Sequence, residues 1–150
     1  MVFFMFVKNN TSFTLSYLFI KNEFYSLLNK VEKMEMIKAI AGYHMLMILS
    51  NVDGEFNPNE GKLIIEFLEK NFPSQTDLDA EVEILSNIKE EDYLNHFTKC
   101  MNSFYKHSTF EERSQFVGFA MQIIKADDKI TDNENTFINE LLNSWEPELV

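Results

Sequence analysis

Residues 51–60 read Asn-Val-Asp-Gly-Glu-Phe-Asn-Pro-Asn-Glu, and residues 125–134 read Lys-Ala-Asp-Asp-Lys-Ile-Thr-Asp-Asn-Glu. In each stretch an Asp lies seven residues before a Glu, and the two stretches are 74 residues apart. The same offset aligns residues 43–73 with residues 117–147. A repeat of this length indicates a duplicated supersecondary unit.

Hydrophobic periodicity predicts that each copy is a helix, an acidic loop and a second helix. Before the loops, residues 40–49 and 116–124 are apolar on nearly all helical faces, which is typical of a buried helix. After the loops the apolar residues form one stripe, as in a helix that covers a core. The stripe consists of Leu63, Ile64, Phe67 and Leu68 in the first copy, and of Phe137, Ile138, Leu141, Leu142 and Trp145 in the second.

Capping signals mark where the helices begin. Residues 109–112 and 131–134 both read Thr-x-x-Glu, and residues 57–60 read Asn-Pro-x-Glu, which has the same capping-box form with Pro at the first helical position. Two more helices are expected between the copies, joined near residues 87–89. The sequence therefore predicts an all-α bundle of six to seven helices, built from two pseudo-symmetric helix-loop-helix repeats. We expect residues 44–49 of one copy to pack against residues 119–124 of the other.

Two loop sequences carry a resemblance to a known family. A buried helix ending in Val-Asp-Gly-Glu-Phe at residues 52–56, an acidic middle section, and a second buried helix ending in Ala-Asp-Asp-Lys-Ile at residues 126–130 resemble the TerB-like family. This family is a small all-helical domain named for tellurite-resistance protein B. The resemblance covers residues 34–148. It implies a non-enzymatic interaction or regulatory module, in an envelope or metal (tellurite-type) stress response.

The acidic loops are the candidate site. Their carboxylates are hard oxygen ligands suited to Ca²⁺ or Mg²⁺. The candidate metal ligands are Asp53, Glu55, Glu60, Asp127, Asp128 and Glu134. By the resemblance, Asp53, Glu60, Asp127 and Glu134 are the positions that carry over as ligands, whereas Asp128 stands where the family pattern usually has Gly. The alternative is structural and stays open: both Glu residues can serve as helix caps, and both Asp residues as Asx turns.

Charge and composition narrow the class of function. The chain has a formal charge of −11, and residues 34–150 carry 22 acidic and nine basic side chains, a formal charge of −13. Such a field repels nucleic-acid phosphates and anionic lipids, so a basic protein surface is the expected partner. The single cysteine, Cys100, cannot form an internal disulfide, which favours a location in the cytoplasm. Its side chain is expected to be a buried, inert thiol.

Catalysis is not expected. His44, His96 and His107 show no zinc-pair spacing, and each is expected to be packed or solvated. A module without enzymatic activity is the preferred interpretation. A divalent-cation sensor or buffer that uses the acidic loops is the first alternative, and a carboxylate-dependent hydrolase is the second.

Residues 1–33 differ from the rest, with two acidic and four basic side chains. Their apolar run at residues 1–7 is too short to span a bilayer, so no transmembrane segment is expected. We interpret residues 1–33 as a leader, either an extra helix or a non-native upstream extension, and residues 34–150 as the TerB-like domain.

Overall fold

The computed structural model describes residues 11–52, 58–125 and 129–149. Within these ranges it is helical and contains no strand, which confirms the all-α prediction. The helices are α1 (Thr11–Asn51), α2 (Pro58–Asn71), α3 (Glu81–Ser86), α4 (Tyr93–His107), α5 (Phe110–Lys125) and α6 (Asp132–Leu149), with 3₁₀ turns at Leu78–Ala80 and Glu90–Asp92.

Helix α1 is longer than the sequence predicted. From the sequence, residues 1–33 were interpreted as a leader, either an extra helix or a non-native upstream extension, apart from the first buried helix, but one helix runs from Thr11 to Asn51. The physical reason is that residues 30–39 contain no Gly, no Pro and no capping signal that would end a helix.

The chain divides into two units, one up to Met34 and one from Glu35 onward. In the described part of the first unit the large apolar side chains are exposed. They include Leu15, Phe19, Ile20, Phe24, Leu27 and Val31.

The core of the second unit is built around the last turns of α1. Residues 44–49 are all buried, as their apolar pattern predicted. Helix α5 differs from the prediction that residues 116–124 are buried on most faces. Phe116, Ala120 and Ile124 are buried, whereas Gln122 is exposed and the residues between are half-buried or exposed. One face of α5 therefore contributes to the core.

Aromatic rings join α4, α5 and α6. Phe104 lies 4.7 Å from Phe116 and 5.5 Å from Trp145 between ring centroids, and Phe116 lies 5.8 Å from Trp145. The stripe predicted on α6 is confirmed, because its residues 137, 138, 141 and 145 are buried. On α2 the prediction is wrong for Leu63, which is 54% exposed, because sequence periodicity alone does not say how wide a face its neighbours cover.

Two contacts between α1 and α5 join positions that are 74 residues apart. The Lys38 ammonium, whose side chain is 2% exposed, lies 2.8 Å from Glu112 Oε1. Gly42 lies opposite Phe116, since a Cβ placed on Gly42 would be 3.2 Å from Phe116 Cε2. Contacts between equivalent positions are what a pseudo-twofold axis between these helices requires, and the internal symmetry itself stays a prediction.

Two of the three capping boxes are confirmed. Thr131 N donates to Glu134 Oε2 at 2.8 Å, and Glu134 N donates to Thr131 Oγ1 at 3.1 Å. At the start of α5, Thr109 N donates to Glu112 Oε2 at 2.9 Å, and Glu112 N donates to Thr109 Oγ1 at 3.2 Å. The third predicted box begins at residue 57, which lies outside the described residues.

Candidate functional site

A connected group of polar side chains lies inside the second unit, between α1, α3 and α4. His44 Nε2 lies 2.8 Å from Glu81 Oε2, and His44 Nδ1 lies 2.8 Å from His96 Nε2. The same nitrogen of His96 lies 3.5 Å from Cys100 Sγ. We call these four residues the histidine–cysteine cluster.

Local structure fixes each member of the cluster. His96 and Cys100 are four residues apart on α4, so both project from the same face of that helix. His44 lies in the fully buried part of α1 and is 4% exposed. Glu81 begins α3, directly after the 3₁₀ turn that Leu78 anchors by its burial.

The hydrogen-bond partners determine which atoms of the cluster carry protons. Because a carboxylate only accepts, His44 Nε2 carries a proton and donates it to Glu81. Because His44 carries its proton on Nε2, its Nδ1 accepts a hydrogen bond from His96 Nε2–H. Burial, followed by the neighbouring His44 and Lys99, lowers the pKa of His96, so the neutral imidazole is favoured.

Cys100 is held as a thiol. Burial, together with the negative charge of Glu81, raises the pKa of Cys100 to about 11. At neutral pH a protonated thiol is a poor nucleophile. The side chain is 9% exposed, in agreement with the predicted buried position.

Sequence reasoning missed this cluster. Each histidine was expected to be packed or solvated, and His44 was not placed beside His96, because the two residues are 52 positions apart in the chain. The available signal was the His-x-x-x-Cys spacing of His96 and Cys100, which places two soft ligands on one helical face. His107 is separate: its Nδ1 lies 2.7 Å from Ser103 O at the end of α4.

The acidic residues predicted from sequence fall mainly outside the described residues. This applies to Asp53, Glu55, Asp127 and Asp128. Glu60 lies in the first turn of α2 and is half-buried, and Glu134 is 5% exposed with its Oε2 in the capping box. A Ca²⁺ or Mg²⁺ site formed by these loops therefore stays a prediction.

An apolar groove lies beside the cluster. Its floor is formed by Met47 and Ile48 of α1, and its walls by Val82 and Leu85 of α3 and Tyr93 of α4. The groove is open to solvent and has a volume of about 190 Å³. Met47 follows His44 by three residues, Val82 follows Glu81 directly, and Tyr93 precedes His96 by three residues, so the groove and the cluster share the helices α1, α3 and α4.

The all-α fold agrees with one comparison to known proteins. The family model described as "Tellurite resistance protein TerB" matches residues 37–144. The chain belongs to the TerB family. Nothing else among curated proteins or solved structures matches the chain significantly.

The match places both the cluster and the groove inside the TerB-family region. It begins within the second unit, two residues after Glu35. Among the helices described for this TerB-family chain, none is long and apolar enough to cross a membrane.

Proposed function

We propose that this TerB-family chain is a non-enzymatic interaction module that binds a basic, partly apolar segment of a partner protein in the groove beside α3. The observation that supports the proposal most directly is an apolar groove surrounded by acidic sequence. Val82, on its wall, is 44% exposed, so apolar surface is available to a partner. An exposed apolar depression with a charged rim is typical of a protein-binding site.

Charge selects the type of partner. Residues 77–92 contain seven acidic side chains and one basic side chain, Lys89. Glu83 of α3 is exposed, as are all three residues of the turn Glu90–Asp92 directly before Tyr93. These carboxylates attract Lys and Arg side chains and repel phosphate, and they steer a basic segment toward the groove.

The family description supports a proposal for the cellular role of the module. The family is described by tellurite resistance, so we place the module in a metal (tellurite-type) or envelope stress response. We place it in the cytoplasm, because its one cysteine cannot form an internal disulfide. A role without catalysis is supported by the protonated thiol of Cys100, which is a poor nucleophile.

The proposal is tested by photo-crosslinking in cells grown under tellurite stress. A photoreactive amino acid at Val82 reports on the groove, and the same amino acid at Ile130 is the matched control, because both side chains are 44% exposed. We expect a discrete crosslinked product from position 82, with a crosslinked peptide of positive net charge. Raising the ionic strength should reduce the yield, because the attraction between exposed charges is screened.

Charge reversal at Glu83 sharpens the test. Glu83→Lys removes an exposed carboxylate and leaves the groove floor in place, so the crosslinked yield from position 82 should fall while the far-ultraviolet dichroism stays unchanged. Equal yields from positions 82 and 130, or a crosslinked peptide with net negative charge, would contradict the proposal.

Cation binding by the acidic loops is a separate proposal for the same chain. One oxygen of Glu134 is already used in the helix cap, so an ion would have to share that residue with the cap. Ca²⁺ and Mg²⁺ are the ions to test, because the ligands are carboxylates.

A further inference from the structure

We propose that His44, His96 and Cys100 form a Zn²⁺-binding site inside this module. One nitrogen of each histidine and Sγ of Cys100 all lie within 4.8 Å of one another, and Nδ1 of His44 and Sγ of Cys100 both face Nε2 of His96. The three residues come from two helices, so the fold itself brings the ligands together. This site is distinct from the acidic loops and from the proposed partner groove.

The separations of the ligand atoms are close to those of a zinc site. Zn–N distances of about 2.0–2.1 Å and a Zn–S distance of about 2.3 Å at tetrahedral angles imply N···N and N···S separations of about 3.3 and 3.6 Å. The observed separations are 2.8 Å between His44 and His96 and 3.5 Å between His96 and Cys100. The third pair, His44 and Cys100, lies within 4.8 Å, so zinc binding requires the two imidazoles to open by about 0.5 Å and His44 and Cys100 to reach the N···S separation of about 3.6 Å.

The donor set selects the class of ion. Two imidazole nitrogens and one thiolate suit a borderline-soft cation such as Zn²⁺, whereas Ca²⁺ and Mg²⁺ prefer oxygen ligands. Three protein ligands leave a fourth position for water. His96 is half-buried and borders a surface cleft with Asn95 and Lys99, which gives the ion a route from solvent.

Glu81 supplies the support that a histidine ligand needs. Its carboxylate accepts from His44 Nε2–H at 2.8 Å, which directs the lone pair of Nδ1 toward the site. Zinc-bound histidines commonly donate their second N–H to a carboxylate in this way. Glu81 is thus a positioning residue and not a ligand, and its side chain is 14% exposed.

Binding requires a defined change in protonation. The Cys100 thiol gives its proton to solvent and binds as thiolate. The proton between the two imidazoles leaves that line, so that His96 carries its proton on Nδ1 and offers Nε2 to the ion. No oxidant or reductant is involved, and the ion remains Zn²⁺ throughout.

The site is tested with Zn²⁺ and with Co²⁺ as a spectroscopic substitute, on the reduced full-length chain freed of metal by a chelator. We expect one ion per chain, visible d–d bands of a tetrahedral Co²⁺ complex, and a near-ultraviolet thiolate-to-cobalt charge-transfer band. Addition of Zn²⁺ should remove the cobalt bands, whereas millimolar Ca²⁺ or Mg²⁺ should not. The last comparison separates this site from the acidic loops.

Single substitutions test which residues bind the ion directly. Cys100→Ser should abolish the charge-transfer band, and His96→Gln should weaken Zn²⁺ binding at least about tenfold. Glu81→Gln should weaken binding about 10- to 100-fold while the charge-transfer band is retained, as expected of a positioning residue. His107→Gln is the matched control, because His107 lies on the same helix outside the cluster and should leave binding unchanged.

Two results would overturn the proposal. One is a cobalt complex of the wild type that lacks the thiolate band, which would mean that the cluster is only a hydrogen-bonded chain. The other is equal Zn²⁺ affinity of the wild type and His96→Gln, measured on protein whose dichroism shows the native helix content. Because His96 is half-buried, this variant keeps the test decisive if Cys100→Ser fails to fold.

Discussion

Gly42 and Gly118 provide a matched test of the packing between α1 and α5, because both lie inside helices and only one is enclosed. A Cβ at Gly42 would lie 3.1 Å from Leu68 Cδ2, 3.2 Å from Phe116 Cε2 and 3.3 Å from Phe104 Cε2. No such atom lies within 4 Å of a Cβ at Gly118. The substitution of Ala therefore makes the same chemical change in two opposite surroundings.

The two substitutions should change stability in different directions. Replacing Gly by Ala inside a helix stabilises it by about 0.5–1 kcal/mol, and at Gly118 nothing opposes that gain. At Gly42 the three neighbouring side chains are fully buried and cannot move into solvent. Overpacking there should cost about 1–3 kcal/mol, which leaves a net change between about zero and a loss of about 2.5 kcal/mol. The difference between the variants should be about 1–3 kcal/mol, the overpacking cost itself.

Urea unfolding measures this difference. The single tryptophan, Trp145, is 1% exposed and contacts Phe104 and Phe116, so its fluorescence reports on the packed core. Far-ultraviolet dichroism follows the helices in the same samples, and equal slopes allow the midpoints to be compared as free energies. If Gly42→Ala raises the midpoint as much as Gly118→Ala does, the proposed close packing at Gly42 is refuted.

Three further predictions concern the cap, the loops and the thiol. Thr131→Ala should lower the free energy of unfolding by about 1 kcal/mol, and Thr136→Ala, which removes a hydroxyl bonded only within α6, should lower it less in the same urea titration. If the acidic loops bind an ion, millimolar Ca²⁺ or Mg²⁺ should stabilise the wild type by about 2.7 kcal/mol at 100 times the dissociation constant. Asp53→Asn and Asp127→Asn should reduce that shift, and no shift in the wild type would end the hypothesis for those ions. At pH 8, with a chelator present, iodoacetamide should alkylate Cys100 at least about 100-fold more slowly in the folded than in the unfolded chain. The reason is that folding raises the pKa of the Cys100 thiol from 9.0 to about 11. Equal rates would show that the thiol of the folded chain is accessible and ionised.

Features that depend on neighbouring residues in the chain were predictable from sequence. The Thr-x-x-Glu caps at residues 109–112 and 131–134 form as predicted, because both partners lie within one helical turn. Leu63 shows the limit of such reasoning, since its spacing fits the stripe of α2 but its side chain is largely exposed.

The candidate zinc site could not be derived from the sequence alone. His44 and Glu81 join the cluster because α1 packs against α3. A local sequence pattern does not predict contacts between residues that are 37 or 52 positions apart in the chain. The spacing of His96 and Cys100 was visible, but two ligands on one helix do not specify a third. The acidic loops were visible for the opposite reason, because their residues lie close together in the sequence.

The two α1–α5 contacts between positions 74 residues apart have an implication for how such a chain can arise. In a dimer of two identical half-chains, each of these positions would face its own copy, so Lys would meet Lys and Gly would meet Gly. One continuous chain can instead place Lys38 against Glu112 and Gly42 against Phe116, opposite charges in one pair and a small residue against a large one in the other. Gene fusion would thus permit a complementarity that exact symmetry forbids. After such changes, separated half-chains could no longer form the original symmetric dimer, because each half-chain would keep only one member of every complementary pair.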